Sequence, residues 1–233
     1  MELFGNRTLI VYRDDPNTIL VIGQTGGEVM RAVAVREDIR DVILDAADRL
    51  LARYGYKKMT IDDLASEVGI GKGTIYLHFN SKEEVALARI NRIIDRLKEL
   101  LQALAQSNQT PANRLREMLV MRVLYRFDSV QRYTRSISEL LAEIRPALLV
   151  SREAHFEEEA RILAKVLIEG RKGGVFYFKD AYITAQTLVL ATNSLLPYSL
   201  SVRELGERSE VEAKTARLAD LLINGLRVKT VRN

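Results

Sequence analysis

The chain has 233 residues, 47% hydrophobic and 28% charged, enough apolar material for one large domain or for a small domain joined to a larger one. A net charge of +4 excludes a polybasic nucleic-acid coat, and between 36 and 82 basic and acidic residues balance, eight against eight. With no cysteine, no signal-peptide layout and no apolar run near the about 20 residues that span a bilayer, a cytoplasmic protein without disulfides, thiolate metal sites or a membrane partner is expected.

Residues 1–35 read as an N-terminal extension, either disordered or a short hairpin. Two β-rich runs, Thr8–Tyr12 and Thr18–Ile22, flank a turn at Asp15-Pro16-Asn17. An isolated hairpin is marginal in water. Met30 is followed by R-A-V-A-V-R-E-D, so two readings stay open: a native arm, or a stretch ahead of a natural start at Met30.

From Arg36 to Tyr54, Ile39, Val42, Ile43, Ala46, Leu50 and Tyr54 recur at helical spacing, and Gly55 ends the segment. Its work is expected to be core. Thr60 then makes an N-cap, with Asp63 in the first turn and Met59 and Leu64 placed as a hydrophobic staple. Ile61, Leu64, Ala65 and Val68 share one face, and Gly69 stands where a helix ends in a left-handed residue. A second short helix, Lys72 to Phe79, carries Ile75 and Phe79 as its buried pair. This is a helix-turn-helix, whose second helix is the one that enters a DNA major groove. Its outward residues are Lys72, Gly73, Thr74, Tyr76 and His78, with Lys82 just beyond. A cation, a glycine that permits close approach, a hydroxyl, a phenol and an imidazole suit phosphate oxygens and base edges. Thr60 joins that set as a DNA-binding candidate.

Ser81-Lys82-Glu83-Glu84 reads as a capping box opening a long helix to about Gln106, with Val85, Ala88, Ile93, Ile94, Leu97, Leu101 and Leu104 as its apolar stripe. Lys82 lies in the first turn, where free N–H groups favour a phosphate. Further helices are expected over about 111–127, 129–144 and 146–171, the last opened by Pro146. Residues 175–179 read as extended or a loop. Two more helices are expected, from Asp180 to about Leu196 and from about Glu204 to Val228.

The run G-I-G-K-G-T-I-Y-L-H-F-N-S-K, Gly69–Lys82, closely resembles the DNA-binding signature of the TetR family of bacterial transcriptional regulators. The resemblance is specific over roughly 36–85 and weak beyond it. It departs at Gly71, where many members have serine, and glycine is itself tolerated as an N-cap. It implies an all-α fold: a three-helix helix-turn-helix domain over 36–82 and a larger helical effector-binding and dimerisation domain over 83–233. It further implies a homodimer on a palindromic double-stranded DNA operator, with repression relieved by a ligand as the family's commonest mode. The helix at 181–196 and the last helix resemble the family's dimerising pair. The effector site would lie among the middle helices. There Met118, Met121, Tyr125, Phe127, Tyr133 and Phe156 could line an apolar pocket, with Arg122, Arg126 or His155 as polar anchors. No cofactor and no metal are expected.

An enzyme is disfavoured. The histidines are His78 and His155 alone, and Gly71-Lys72-Gly73-Thr74 fails the phosphate-loop pattern, since Ser66 stands where its first glycine is needed and Gly73 follows the lysine. A helical adaptor contacting protein instead of DNA would need an apolar exposed helix face, and Lys72, Thr74 and His78 argue against one.

Overall fold

The computed structural model describes residues 9–12, 19–22, 34–35, 38–131, 137–196 and 206–228. Strands β1 (Leu9–Tyr12), β2 (Ile19–Ile22) and β3 (Ala34–Val35) pair in order as an antiparallel sheet, with Leu9 opposite Ile22 and Ile19 opposite Val35. From residue 38 onward the described elements are helices joined by turns and short loops, with one isolated bridge.

Helix α1 (Ile39–Tyr54) starts where the Asp38 carboxylate accepts from the Arg40 amide, later than the expected Arg36. Helix α2 (Ile61–Val68) is opened by a reciprocal capping box: Thr60 Oγ1 accepts from the Asp63 amide, and the Asp63 carboxylate accepts from the Thr60 amide. Gly69 closes it at φ 77°, in the left-handed region. Helix α3 (Lys72–His78) follows, then α4 (Lys82–Ala105), whose cap Ser81 accepts from the Glu84 amide. Glu84 reaches one residue further back than a capping box requires, to the Asn80 amide and side chain. The remaining helices are α5 (Pro111–Gln131), α6 (Ile137–Lys172), α7 (Ala181–Asn193) and α8 (Arg208–Leu226).

The head formed by α1–α3 has its own core of Ile43, Leu44, Leu51, Met59, Leu64, Ile75 and Phe79. Val85, Ala86 and Ala88 at the start of α4 complete one side of it, and Leu140 and Ile144 from α6 complete another. A second core lies in the larger domain, where Leu97 and Leu101 of α4 meet Leu115, Leu119, Leu163, Leu167, Leu188 and Ile223. Helices α4 and α6 therefore each have residues in both cores.

The expected boundary at Pro146 is corrected by this arrangement. Helix α6 runs through Pro146 without interruption for 36 residues. An internal proline removes one helix hydrogen bond and costs about 3 kcal/mol. Buried Ile144 and Leu148 anchor the helix on either side of it and offset that cost. The last helix also ends earlier than expected, at Leu226. Beyond it the chain turns extended at Arg227, which bridges Phe176 in the connection between α6 and α7: the Tyr177 amide donates to Leu226 O at 2.8 Å, and the Val228 amide to Val175 O at 3.2 Å.

A charged network crosses the middle of the larger domain. Glu159 of α6 and Arg122 of α5 are 0% exposed, and Arg126 is nearly so. Arg122 Nε donates to Glu159 Oε2 at 2.9 Å, and Arg126 Nη2 donates to Oε1. Arg122 also reaches Val189 O, the Thr192 hydroxyl and Asn193 Oδ1, which brings in α7. Burial alone would push the Glu159 carboxyl up, but the two guanidiniums outweigh it and hold the group below the usual carboxylate range. Its contribution to stability is thus fully present above that usual range and is lost as pH falls through the lowered folded-state value.

Two tests follow from this packing. Glu159→Gln leaves two buried guanidiniums without a counter-charge and should cost about 3–5 kcal/mol of unfolding free energy in denaturant titrations at neutral pH, while flattening the loss of stability on acidification. At Gly170, a Cβ would lie within 2.5 Å of Phe176 Cε2, closer still to Cδ2, and 3.1 Å from Pro111 Cβ. Phe176 is fully buried, so Gly170→Ala should lower the melting temperature, by about 1–3 kcal/mol of overpacking, although alanine is the better helix former.

Candidate nucleic-acid interface and ligand region

Helix α3 is held by two side chains. Ile75 and Phe79 are both buried in the head core, and the Phe79 amide caps the helix by donating to Ile75 O. With that face fixed, Lys72, Gly73, Tyr76 and Leu77 are exposed, and Thr74 and His78 are half-buried on either side of them. Five of the seven expected DNA-binding residues therefore share one short helix. Lys82 belongs to the first turn of α4, and Thr60 to the cap of α2.

Their surroundings differ. The Lys72 ammonium donates to the Asp62 carboxylate at 2.9 Å, and this hydrogen bond and charge raise its pKa. Both partners are exposed, so a phosphate can replace the carboxylate readily. A Cβ at Gly73 would meet nothing within 4 Å, so the only surface a side chain there could obstruct is that of an incoming molecule. The Thr60 hydroxyl is engaged in its cap, accepting from the Asp63 amide and donating to the Asp63 carboxylate at 2.7 Å. Lys82 Nζ folds back to Tyr56 O at 3.1 Å and lies 4.3 Å from the centre of the Tyr56 ring.

One residue outside the expected set joins this face, and a second lies beside the end of α3. Leu77 is 83% exposed, an apolar side chain set among polar ones at the tip of α3. Its place one residue after Tyr76 on a two-turn helix was the available signal, since Ile75 and Phe79 already account for the inward positions. Arg40 of α1 places its guanidinium 4.8 Å from the centre of the Phe79 ring, which puts a cation beside the end of α3. No local spacing links Arg40 to Phe79.

The expected ligand-binding residues separate into several places. Met121 and Tyr125 line a cleft of about 350 Å³ along α5, bounded by Arg116 and Asp128 of the same helix and Arg208 of α8. Arg116 pairs with Asp220 and Arg208 with Asp128, so ion pairs clasp α5 to α8 at both ends of the cleft. Met118 and Phe127 are buried in the core. Arg122 and Arg126 belong to the Glu159 network on the opposite side of α5. His155 is half-buried and shares a hydrogen bond with Asn91 of α4 at 3.1 Å; burial, then the Lys98 cation, hold its pKa below the ordinary value. The Phe156 ring has the guanidiniums of Arg122 and Arg152 at 5.6 and 5.8 Å from its centre. Tyr133 lies outside the described residues. Among the described residues no cluster of three or more His, Asp or Glu could hold a metal ion, and no helix is long and apolar enough to cross a membrane.

Comparison with known proteins agrees with this geometry. Residues 43–88, from the middle of α1 to the first turns of α4, match the family model described as bacterial regulatory proteins, tetR family. An HTH-type transcriptional regulator of Lactococcus lactis is 36% identical over 81 residues, 34% of this chain and 41% of that protein. The HTH-type negative transcriptional regulator of the biofilm operon icaADBC, IcaR of Staphylococcus aureus, is 30% identical over 103 residues, 44% of this chain and 53% of its own length. The chain thus spans about half or less of the curated relatives it matches. Among solved structures, a transcriptional regulator from Cytophaga hutchinsonii shares the fold over 82% of this chain and 100% of its own, with a TM-score of 0.69 at 21% identity. A TetR/AcrR-family regulator from Thermobifida fusca covers 82% of this chain and 100% of its own, with a TM-score of 0.58 at 26% identity. Residues 43–88 are thus similar to the segment described for bacterial regulatory proteins of the tetR family, and the chain as a whole shares the fold of a solved TetR/AcrR-family regulator.

Proposed function

We propose that the protein is a ligand-responsive transcriptional regulator, a repressor that binds a palindromic DNA operator as a homodimer and is released by a small apolar or amphipathic effector. The observation that carries this reading is α3, fixed inwardly by Ile75 and Phe79 while Lys72, Gly73, Tyr76 and Leu77 face out together. Lys72, Arg40 and Lys82 supply cations for phosphates, Thr74, Tyr76 and His78 supply hydrogen bonds, and Leu77 suits the methyl group of a thymine. Repression is the sense of regulation carried by the name of the Staphylococcus aureus relative.

Dimerisation is supported by α7 and α8. Helix α7 buries Ala185, Leu188, Val189 and Thr192, yet its outer face exposes Ile183 and Leu190, two turns apart. Leu221 is exposed on α8. A second copy would cover these side chains and set two α3 helices one turn of DNA apart, about 34–36 Å. For the effector, the cleft at Met121 and Tyr125 has an apolar floor and lies at the lower end of the about 300–1,000 Å³ usual for small-ligand sites. Because α4 and α6 reach both cores, a ligand that prefers another tilt of these helices shifts the heads and weakens DNA binding through its differential affinity for the two states.

The test is selection of genomic fragments by the purified protein, then footprinting of the best site at several salt concentrations. A discrete protected palindrome is expected. Weak, sequence-blind retention would instead favour a protein-contacting adaptor, for which exposed Leu77 would be the anchor. On the selected site, Gly73→Ala should raise helix stability by about 0.5–1 kcal/mol while lowering affinity, because the added methyl stands between α3 and the groove. Leu77→Ala should relax the preference at one base pair and leave the salt dependence of binding unchanged.

A further inference from the structure

On the proposed reading Lys82 meets a phosphate from the first turn of α4, but its ammonium does not hang free in solvent. It is fastened to Tyr56, a residue of the turn between α1 and α2 that the sequence separates from it by 26 positions. Three features of Tyr56 act together. Its carbonyl accepts from Lys82 Nζ at 3.1 Å, its ring lies under the ammonium at 4.3 Å, and its phenol donates to Glu83 Oε1 at 2.8 Å. The phenol is thereby anchored to the same helical turn that carries Lys82. Tyr56 is 2% exposed, so the ring is packed on nearly all sides. The Glu83 carboxylate faces it from α4, and Glu143 of α6 adds a second negative field. Burial and these two carboxylates push the phenol well above its ordinary pKa, so at neutral pH it is a hydrogen-bond donor to Glu83.

A lysine in the first turn of a helix ordinarily samples many rotamers, and a phosphate that captures it must freeze them. Here the ring face and the carbonyl have already selected one placement for the ammonium. We infer that Tyr56 is a positioning residue for DNA binding, which holds the Lys82 ammonium in advance where a phosphate is to be met. This rests on the DNA-binding reading. Tyr56 touches no DNA itself and acts through Lys82, a division of labour in which a buried aromatic of the head sets the geometry of a half-buried cation.

The experiment is a double-mutant cycle on the full chain, with a fluorescein-labelled duplex carrying the strongest genomic site as the probe and anisotropy as the readout. Tyr56→Leu should weaken binding about threefold to tenfold for each head engaged, the usual range for leaving one long side chain to be ordered on binding. In a Lys82→Ala background the same substitution should cost nothing further, and Tyr56→Phe, which keeps the ring, should recover most of the loss. If Tyr56 served only the packing of the head, Tyr56→Leu would cost the same with and without Lys82, and that additivity would overturn the inference. Should Tyr56→Leu fail to fold, the unmodified protein still decides. A ring under the ammonium must shift the Lys82 ε-methylene protons upfield in the NMR spectrum, and protons at their ordinary position would sink the proposal. A duplex that no form of the protein binds, the unsubstituted one included, overturns the regulator reading as well, whereas binding with additive effects overturns the positioning role alone.

Discussion

One carboxylate holds two guanidiniums where water does not reach, and the larger domain is arranged around that fact. Glu159 takes Arg122 and Arg126 from α5, and Arg122 spends its remaining donors on Val189, Thr192 and Asn193 of α7. Removing charged groups from water is expensive, and it is offset only when nearly every donor finds an acceptor. A slide of α5 against α6 by one turn would strand a buried guanidinium, so the three helices have a single register. Apolar contacts alone would not impose it, because leucine and alanine faces tolerate neighbouring registers at modest cost.

That register matters for the head because of α6. Its second half is tied down by Glu159 and by Leu163 and Leu167 in the larger core, while Leu140 and Ile144 from its first half lie in the core of the head. The head is thus not a unit that α4 alone suspends. Its hydrophobic interior is completed by two residues supplied from far along the chain, and the position of α3 depends on where α6 stands. Helix α4 gives the second attachment, with Val85 and Ala88 in one core and Leu97 and Leu101 in the other.

The parts legible in the sequence are those whose physics is local. Thr60, Asp63, Gly69, Ile75 and Phe79 state their roles by spacing, since a cap, a left-handed stop and an i, i+4 pair involve residues within a turn or two of each other. The clean boundaries of α2, α3 and the start of α4 follow from that. What escaped depends on distant partners. Pro146 reads as a helix start because proline usually is one, and only burial of Ile144 and Leu148 shows why a helix continues through it. Arg40 beside Phe79 and Lys82 on Tyr56 are cation–ring contacts between elements, with no spacing to betray them. On α5 the two arginines confuse the pattern outright. They occupy the inner face, where an apolar stripe is expected, so the helix offers no clean inside and outside from its sequence, and residues of both faces read as one pocket.

The same division of α5 bears on how a ligand could act. Its outer side carries the cleft at Met121 and Tyr125, and its inner side carries Arg122 and Arg126. On the proposed reading, a molecule entering the cleft presses on a helix whose far side is joined to α6 by charge-assisted hydrogen bonds, which are short, directional and stiff compared with apolar packing. A soft interface would absorb such a displacement by side-chain rearrangement. A stiff one passes it to α6, and α6 ends inside the core of the head. The buried ions are in that sense better suited to transmitting a shift than to stabilising the fold, since an apolar triad of equal volume could have served stability as well.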